Sequence, residues 1–388
     1  VTPPGNSLPH RASVVVVGGG VIGTSIAFHL AEAGVPEVVL IERDELGAGS
    51  TSKAAGGVRA QFSDALNIQL GARSLRAFAD FGARPGQEID FRAVGYLFLL
   101  SRPEDVAAFE RSIELQNRLG VPSRLLDPRE ARRLSPPIAT DGLLAAAFSP
   151  EDGLATPEAV VQGYAAGARR HGAHVETGCE LLDVRVRGET IQAAVTSKGV
   201  VETPALVCAA GAWSRRVGAM AGVDLPVTPY RRQVLLTEPV PGLPKRLPMT
   251  IDFASSFYFH REGPGLLMGM SLDDEPPGFN LGRDDAWIPR LAEVIARRAP
   301  SLADIGVAGG WAGLYEVTPD HNALIGEAPR PARMLYATGF SGHGFLQGPA
   351  VGEVVRDLFL GRQPPVDVAP LAVDRFQQAK DRPELNVV

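Results

Sequence analysis

Between Ser13 and Glu42 the chain reads as strand, glycine turn, helix, strand and terminal acid, an order that few folds can accommodate. Ser13-Val-Val-Val-Val-Gly18 is a continuous β-branched run, as a strand covered on both faces requires. Gly18-Gly-Gly20-Val21-Ile22-Gly23 comes next, and Thr24 to Ala33 then shows helical apolar spacing that Gly34 closes. Glu37-Val-Val-Leu-Ile-Glu42 is the second strand. Gly18 permits the tight turn, Gly20 lets backbone approach a pyrophosphate, and Gly23 lets helix and strand pack closely. The helix start offers unpaired N–H groups and a positive dipole end to phosphates. Glu42, 24 residues after Gly18, suits an acid bonding ribose hydroxyls. The unit predicts a Rossmann-type α/β fold that binds a dinucleotide. On this unit alone NAD and FAD are equally served, and Glu42 argues only against NADP.

The rest of the composition narrows the classes. With 388 residues, 45% of them hydrophobic, the chain has material for two or three domains. Its 38 basic and 44 acidic residues give a formal charge of −6, which favours neither nucleic acid nor anionic membrane as a partner. The two cysteines, Cys179 and Cys208, make no disulfide framework and lack metal-ligand spacing. His171, His174 and His321 have no such spacing either, so no metal site is expected. A reducing, cytoplasmic setting is the expectation. No stretch reaches the roughly 18 apolar residues of a membrane span. Residues 1–11 carry three prolines and no apolar block, and read as a loose tail instead of a signal peptide.

The segment after Glu42 distinguishes the two cofactors. Glu42-Arg43-Asp-Glu-Leu-Gly47-Ala-Gly49-Ser50-Thr51-Ser52-Lys53-Ala-Ala55-Gly56-Gly57-Val-Arg59 resembles the FAD site of the D-amino-acid oxidase and sarcosine oxidase superfamily. Ala205-Leu-Val-Cys-Ala-Ala210-Gly211-Ala-Trp213-Ser214 resembles that family's second strand-and-turn contact with the cofactor. Thr338-Gly339-Phe340-Ser-Gly342-His343-Gly344-Phe345-Leu346-Gln347-Gly-Pro349 resembles the loop and helix under the isoalloxazine ring. Within the superfamily, Pro229-Tyr-Arg-Arg-Gln233 and Val317-Thr-Pro-Asp-His-Asn322 are most similar to sarcosine oxidase β-type subunits, sarcosine dehydrogenases and proline dehydrogenase subunits. Glycine oxidase is a more distant likeness.

The resemblance implies a glutathione-reductase-like FAD domain interleaved with an α+β substrate domain on a mostly antiparallel sheet. Residues 12–86, 144–226 and 317–376 are assigned to the FAD domain, and 87–143 and 227–316 to the substrate domain. Residues 377–388 are expected to be a second tail. A cap-and-proline start at Thr156-Pro157-Glu158 predicts a helix to Arg170, and another is predicted from Pro349 to Leu360. The flavin is expected to be non-covalent. Gly313 or Leu314 stands where monomeric sarcosine oxidases carry their linking cysteine, and Ala155 and Thr156 stand near the place of the β-type subunits' histidine.

The chemistry implied is oxidation of the C–N bond of a small secondary, N-alkyl or primary amino acid to an imine by hydride transfer to flavin N5. Such a site must hold the substrate carboxylate, for which an arginine fork is best suited, and must accept a neutral amine. By resemblance Arg59 is the fork, with a cofactor or surface salt-bridge role as the competing reading. Tyr258, in Ser256-Phe-Tyr-Phe-His260, orients substrate or is a sheet-core aromatic. His343 adjusts flavin charge or is structural, and Tyr315 and Trp311 wall the cavity or simply pack. The lysine that speeds oxygen use in the oxidases has no counterpart in Gly265-Leu-Leu-Met-Gly-Met-Ser271, and Leu346 replaces a lysine that helps bind carboxylate in the monomeric enzymes. Electrons would thus pass to oxygen or to an electron-carrier partner. Partner subunits, a homo-oligomer, and a non-amine substrate such as a hydroxy acid stay open.

Overall fold

In the computed structural model, which describes residues 8–378 and 383–386, strand β1 (Val14–Val17) is buried along its whole length. It leads through the glycine turn into α1 (Val21–Glu32) and then β2 (Val38–Ile41). The ribbon strand β3 (Gly57–Val58) and helix α2 (Ala65–Ala79) complete this first pass. The chain then leaves for β4 (Tyr96–Leu100), α3 (Pro103–Arg118), β5 (Arg124–Leu126), α4 (Pro128–Leu134) and β6 (Ala145–Ser149). It returns with β7 (Gly153–Leu154), α5 (Pro157–Arg170) and β8 (His174–Glu176). A meander of β9 (Leu181–Arg187), β10 (Thr190–Thr196) and β11 (Gly199–Glu202) precedes β12 (Leu206–Cys208) and α6 (Ser214–Met220). The second excursion holds β13 (Thr228–Thr237), β14 (Met249–Asp252), β15 (Phe257–Glu262), β16 (Gly265–Gly269), α7 (Ile288–Arg298) and β17 (Val307–Val317). The last return is β18 (Leu324–Glu327), β19 (Met334–Thr338) and α8 (Gly344–Phe359).

Two sheets organise these segments. The first runs β18-β19-β12-β1-β2-β8 and is parallel except where β18 meets β19. Strand order changes direction at β1, with β2 on one side and β12 on the other, so a crevice opens at the carboxyl ends of these strands. The second runs β17-β13-β16-β15-β14-β4-β6-β5 and is antiparallel apart from the β14–β4 pair. The α/β architecture with a mostly antiparallel second sheet is thus the one the sequence implies.

Helix α1 is buried from Val21 to Ala31, because α8, α5 and the first sheet cover it on several sides. Close approach of α8 depends on Gly352. A methyl group there would lie 2.2 Å from Ser25 Oγ and 2.5 Å from His29 Nδ1.

Three expectations need correction. Residues 144–149 belong to the second sheet, since β6 pairs with β4 and β5. Its apolar Ala145-Ala-Ala-Phe run carries no periodicity that assigns it to one sheet over another. Helix α8 begins at Gly344, not at Pro349, which lies inside it. A proline this early forgoes only one backbone bond, to the Phe345 carbonyl. Finally, part of the stretch 377–388 is no free tail. Glu384 and Asn386 are buried, and the Glu384 carboxylate accepts from Ser63 N (2.9 Å), Ser63 Oγ (2.6 Å) and Asn67 Nδ2 (2.9 Å). Residues 379–382 and 387–388 of that stretch, and 1–7 of the first tail, lie outside the described residues. Residues 10–11 of the first tail are likewise not loose: Glu202 N donates to His10 O at 2.9 Å and Ala12 N to Glu202 O at 2.9 Å, which ties them to β11.

The Gly352 contact gives a test. Gly352→Ala should destabilise the protein by about 1–3 kcal/mol through overpacking, read as a lower urea midpoint with unchanged slope.

Candidate active site

The crevice is shaped first by missing side chains. A methyl group at Gly23 would lie 1.9 Å from the Gly18 carbonyl oxygen, so only glycine lets α1 start where it does. Gly18 itself has φ +113°, and its backbone runs against Ala209, just beyond β12. Neither Gly20 before α1 nor His343 before α8 caps its helix with its own side chain, and both helix starts border the same cavity. Glu42 stands at the end of β2, where its carboxylate accepts from Gly19 N at 2.6 Å and Asp44 N at 2.8 Å. Thr51 Oγ1 accepts from Val21 N at 3.1 Å, and Ser50 Oγ donates to Leu314 O at 2.7 Å, which joins the Gly49–Thr51 turn to α1 and to the second sheet. Arg43 lies 4.5 Å over the Trp213 ring.

One cavity is lined by all three segments singled out in the sequence. Gly18, Gly20, Val21, Ile22, Glu42, Arg43, Gly49, Ser50, Thr51, Ala55, Gly56 and Gly57 contribute from the first. Ala210, Gly211 and Trp213 come from the second, and Gly342, His343, Gly344, Phe345 and Leu346 from the third. Gly23, Ser52, Gly339, Phe340 and Gln347 stand behind this surface. Ser52 N bonds Gly47 O, Gly339 turns the chain at φ +70°, and Gln347 Nε2 donates to Asn67 Oδ1 at 3.0 Å. Two helix N-termini, a glycine floor without Cβ atoms and an acid at one end form the donor and acceptor set that a dinucleotide's pyrophosphate and ribose need. The site fits FAD.

At the other end the wall is aromatic and cationic. Three tyrosines each lie against a glycine. A methyl group would meet the Tyr96 hydroxyl at 1.7 Å from Gly57, the Tyr258 ring at 2.3 Å from Gly269, and the Tyr315 ring at 2.4 Å from Gly342. Burial pushes the hydroxyl of Tyr258 well above its ordinary range and that of Tyr315 upward, so both phenols are neutral donors and not bases. Tyr315 and Tyr258 therefore do line the cavity, whereas Trp311 packs outside it, its Nε1 donating to Lys53 O at 3.0 Å.

Arg59 is buried in this wall, 4.1 Å above the Phe62 ring. Its Nη1 donates to Gln61 O, and its Nη2 to His343 Nε2 at 3.0 Å and Asn386 O at 2.7 Å. Because a guanidinium only donates, His343 Nε2 must accept, which fixes a neutral imidazole with its proton on Nδ1. Burial, and then the adjacent Arg59 charge, hold the His343 pKa well below the usual imidazole range.

Sequence reasoning missed Tyr96, Arg216, Arg232 and several apolar lining residues such as Met249 and Ile251. Glu316 and Lys53 also line the cavity. Alternation along β13 was the available signal for Arg232. Arg231 points to Glu275 and Asp284, so its neighbour must face the other way.

The model of the FAD dependent oxidoreductase family (DAO) matches residues 13–358, and the chain belongs to that family. It is an FAD-binding flavoprotein oxidoreductase. The chain is 30% identical over 386 residues to mouse (Mus musculus) dimethylglycine dehydrogenase, mitochondrial, covering 94% of this chain and 44% of that protein. It therefore spans less than half the length of that relative. It is 32% identical to the bovine (Bos taurus) FAD-dependent oxidoreductase domain-containing protein 1, covering 95% of this chain and 85% of the relative. The crystal structure of L-proline dehydrogenase from P. horikoshii superposes with a TM-score of 0.91 at 33% identity, covering 97% of this chain and all of the other.

Glu316, on β17, supplies a test of the wall's electrostatics. Burial pushes its carboxyl up to about 7, against the pull of hydrogen bonds from Gly339, Thr338 and Phe340. A carboxyl with a folded pKa above its unfolded value binds more protons in the folded state through that interval. Stability then falls as pH rises from about 4.5 to about 7. Glu316→Gln should remove its share of that fall, on the order of 2 kcal/mol, in urea unfolding at pH 5 and pH 8.

Proposed function

We propose that this chain oxidises the C–N bond of a small secondary, N-alkyl or primary amino acid, of the sarcosine, proline or glycine kind, to an imine. The observation that carries the reading is the far end of the FAD cleft. There Arg59 and Arg232, neither ion-paired to a carboxylate among the described residues, face Tyr96, Tyr258 and Tyr315 across one cavity. The names of the relatives, a dimethylglycine dehydrogenase and an L-proline dehydrogenase, support the same substrate class. A hydroxy acid would satisfy the cations equally, but those names favour an amine.

Bound FAD supplies the two-electron acceptor; the chain's own residues position, exclude and neutralise. The guanidinium charges attract the substrate carboxylate and disfavour an ammonium, so the amine is driven to bind uncharged. Tyr258 and Tyr315, neutral throughout the working range, orient the substrate as hydrogen-bond donors or acceptors without drawing a proton from it. His343, neutral and bonded to Arg59, is a positioning residue. No general base is required in such a site.

Two measurements test this. Anaerobic mixing with sarcosine, proline, glycine and a matching hydroxy acid should bleach the flavin absorbance with at least one amine. Bleaching by the hydroxy acid alone would overturn the amine reading. Admission of air then reports the acceptor. The buried residues of β16, Leu266, Leu267 and Met268, bring no cation to the cavity, so slow reoxidation by oxygen is expected, with faster turnover on an artificial electron carrier. Second, kcat should rise with pH and level off once the bound amine is neutral. No falling limb should appear below pH 10, because both tyrosine hydroxyls are shifted upward.

A further inference from the structure

Two guanidiniums border the substrate end of the cleft, and their free edges differ. A carboxylate binds an arginine through two parallel N–H groups, either Nε with Nη2 along the side or Nη1 with Nη2 at the end. Both edges use Nη2. In Arg59 the two Nη2 hydrogens go to His343 Nε2 and Asn386 O, and Nη1 is engaged by Gln61 O. Neither edge of Arg59 is open, so the residue expected to be the fork has no fork to offer.

Arg232 is arranged the other way. Its Nη1 donates to Arg231 O at 2.9 Å, the atom that belongs to neither side-edge hydrogen. Its Nε is buried and has no hydrogen-bond partner among the described residues, and Nη2 has none there either. The nearby carboxylates of Glu275 and Asp284 are taken by Arg231, with Glu275 Oε1 at 2.8 Å from Arg231 Nε. The Arg232 guanidinium lies 5.3 Å from the Tyr315 ring centre and 6.0 Å from that of Tyr230, so two aromatic faces hold the cation without occupying its N–H groups. Its cross-strand partner on β17 is Gly313, which has no side chain to cover it. The result is a pre-positioned side edge on a half-buried guanidinium, with Nε buried and no counter-ion among the described residues, next to Tyr258 and Tyr315 in the same cavity.

We propose that Arg232 is the residue that receives the substrate carboxylate, through Nε and Nη2, and that Arg59 is a fixed positive charge built into the wall. The assignment rests on the amino-acid reading above and adds to it a specificity rule. Amines lacking an α-carboxylate lose the fork and are poor substrates.

The test uses the FAD-loaded protein, with sodium acetate as a carboxylate probe read by its perturbation of the visible flavin spectrum. Acetate should bind the wild type. Arg232→Met should weaken acetate roughly tenfold or more and raise KM for the amino-acid substrate by a similar factor, with FAD content and thermal midpoint retained. Arg232→Lys should recover part of the affinity, as a point charge without a fork. Arg59→Lys should keep acetate binding within about threefold, because two charge-bearing edges are compared and only one is open. Retained acetate affinity in Arg232→Met with loss in Arg59→Lys would overturn the proposal, as would a wild type that acetate does not perturb. If acetate binding tracks Arg232 but no amino acid bleaches the flavin, the functional reading fails and the fork assignment stands.

Discussion

A carbonyl oxygen at Gly18 comes so near the start of α1 that no side chain fits at Gly23, and this contact sets the geometry of the cofactor end. It fixes the helix start directly beyond β1, which puts its first N–H groups at the strand-order reversal between β2 and β12. The same helix is then so enclosed that Gly352 is the only way for α8 to lie against it near Ser25. Since α8 also starts at this cavity, two helix ends converge on one crevice. The positions of both helix-lined parts of the crevice are thereby set by backbone contacts that side chains could only disrupt.

The far end of the cavity obeys a different rule, in which glycine makes room for tyrosine. Gly57, Gly269 and Gly342 come from β3, β16 and the loop before α8, three segments far apart in the chain. Each accommodates a phenol that would otherwise collide with a Cβ, and the three phenols belong to β4, β15 and β17 of the second sheet. The cavity is therefore an interface between two sheets, and neither the first nor the second could build it alone. Desolvation at this interface raises the hydroxyl pKa values, lowers that of His343 and leaves arginine as the charged species, because guanidinium holds its proton where the others do not.

The same physics decides how much of the molecule was legible in its sequence. The βαβ unit could be read because its glycines, β-branched runs and acid act within thirty residues, where spacing carries the geometry. The three cofactor segments were legible for a similar reason: most of their residues line the cleft, and those that do not, such as Gly23 and Gly339, shape the turns beneath it. Pairings across long separations were not legible. Nothing in Ala145-Ala-Ala-Phe names β4 and β5 as its partners, and nothing in Pro383-Glu-Leu-Asn386 reveals that Glu384 binds the turn at Ser63. Arg59 does line the cavity, but its hydrogen-bond partners include Asn386, more than three hundred residues away. A residue's location was readable; the state of its N–H groups was not.

That distinction bears on how a cleft with one buried and one half-buried guanidinium can remain folded and still select a ligand. A desolvated charge is tolerated when its donors are satisfied, and Arg59 meets that condition through two backbone carbonyls and an imidazole. Arg232 meets it only in part, since its side edge is left without an acceptor and is flanked by ring faces that supply electrostatic support but no hydrogen bond. An unmet donor pair in a partly desolvated wall is unfavourable until an acceptor of matching shape arrives, and a planar carboxylate is that acceptor. The cost carried by the free protein at Arg232 is thus recovered on binding, whereas Arg59 has nothing left to gain from a ligand's oxygens. Selectivity toward amino acids over simple amines would arise from this asymmetry between two chemically identical side chains, and not from the number of positive charges in the cleft.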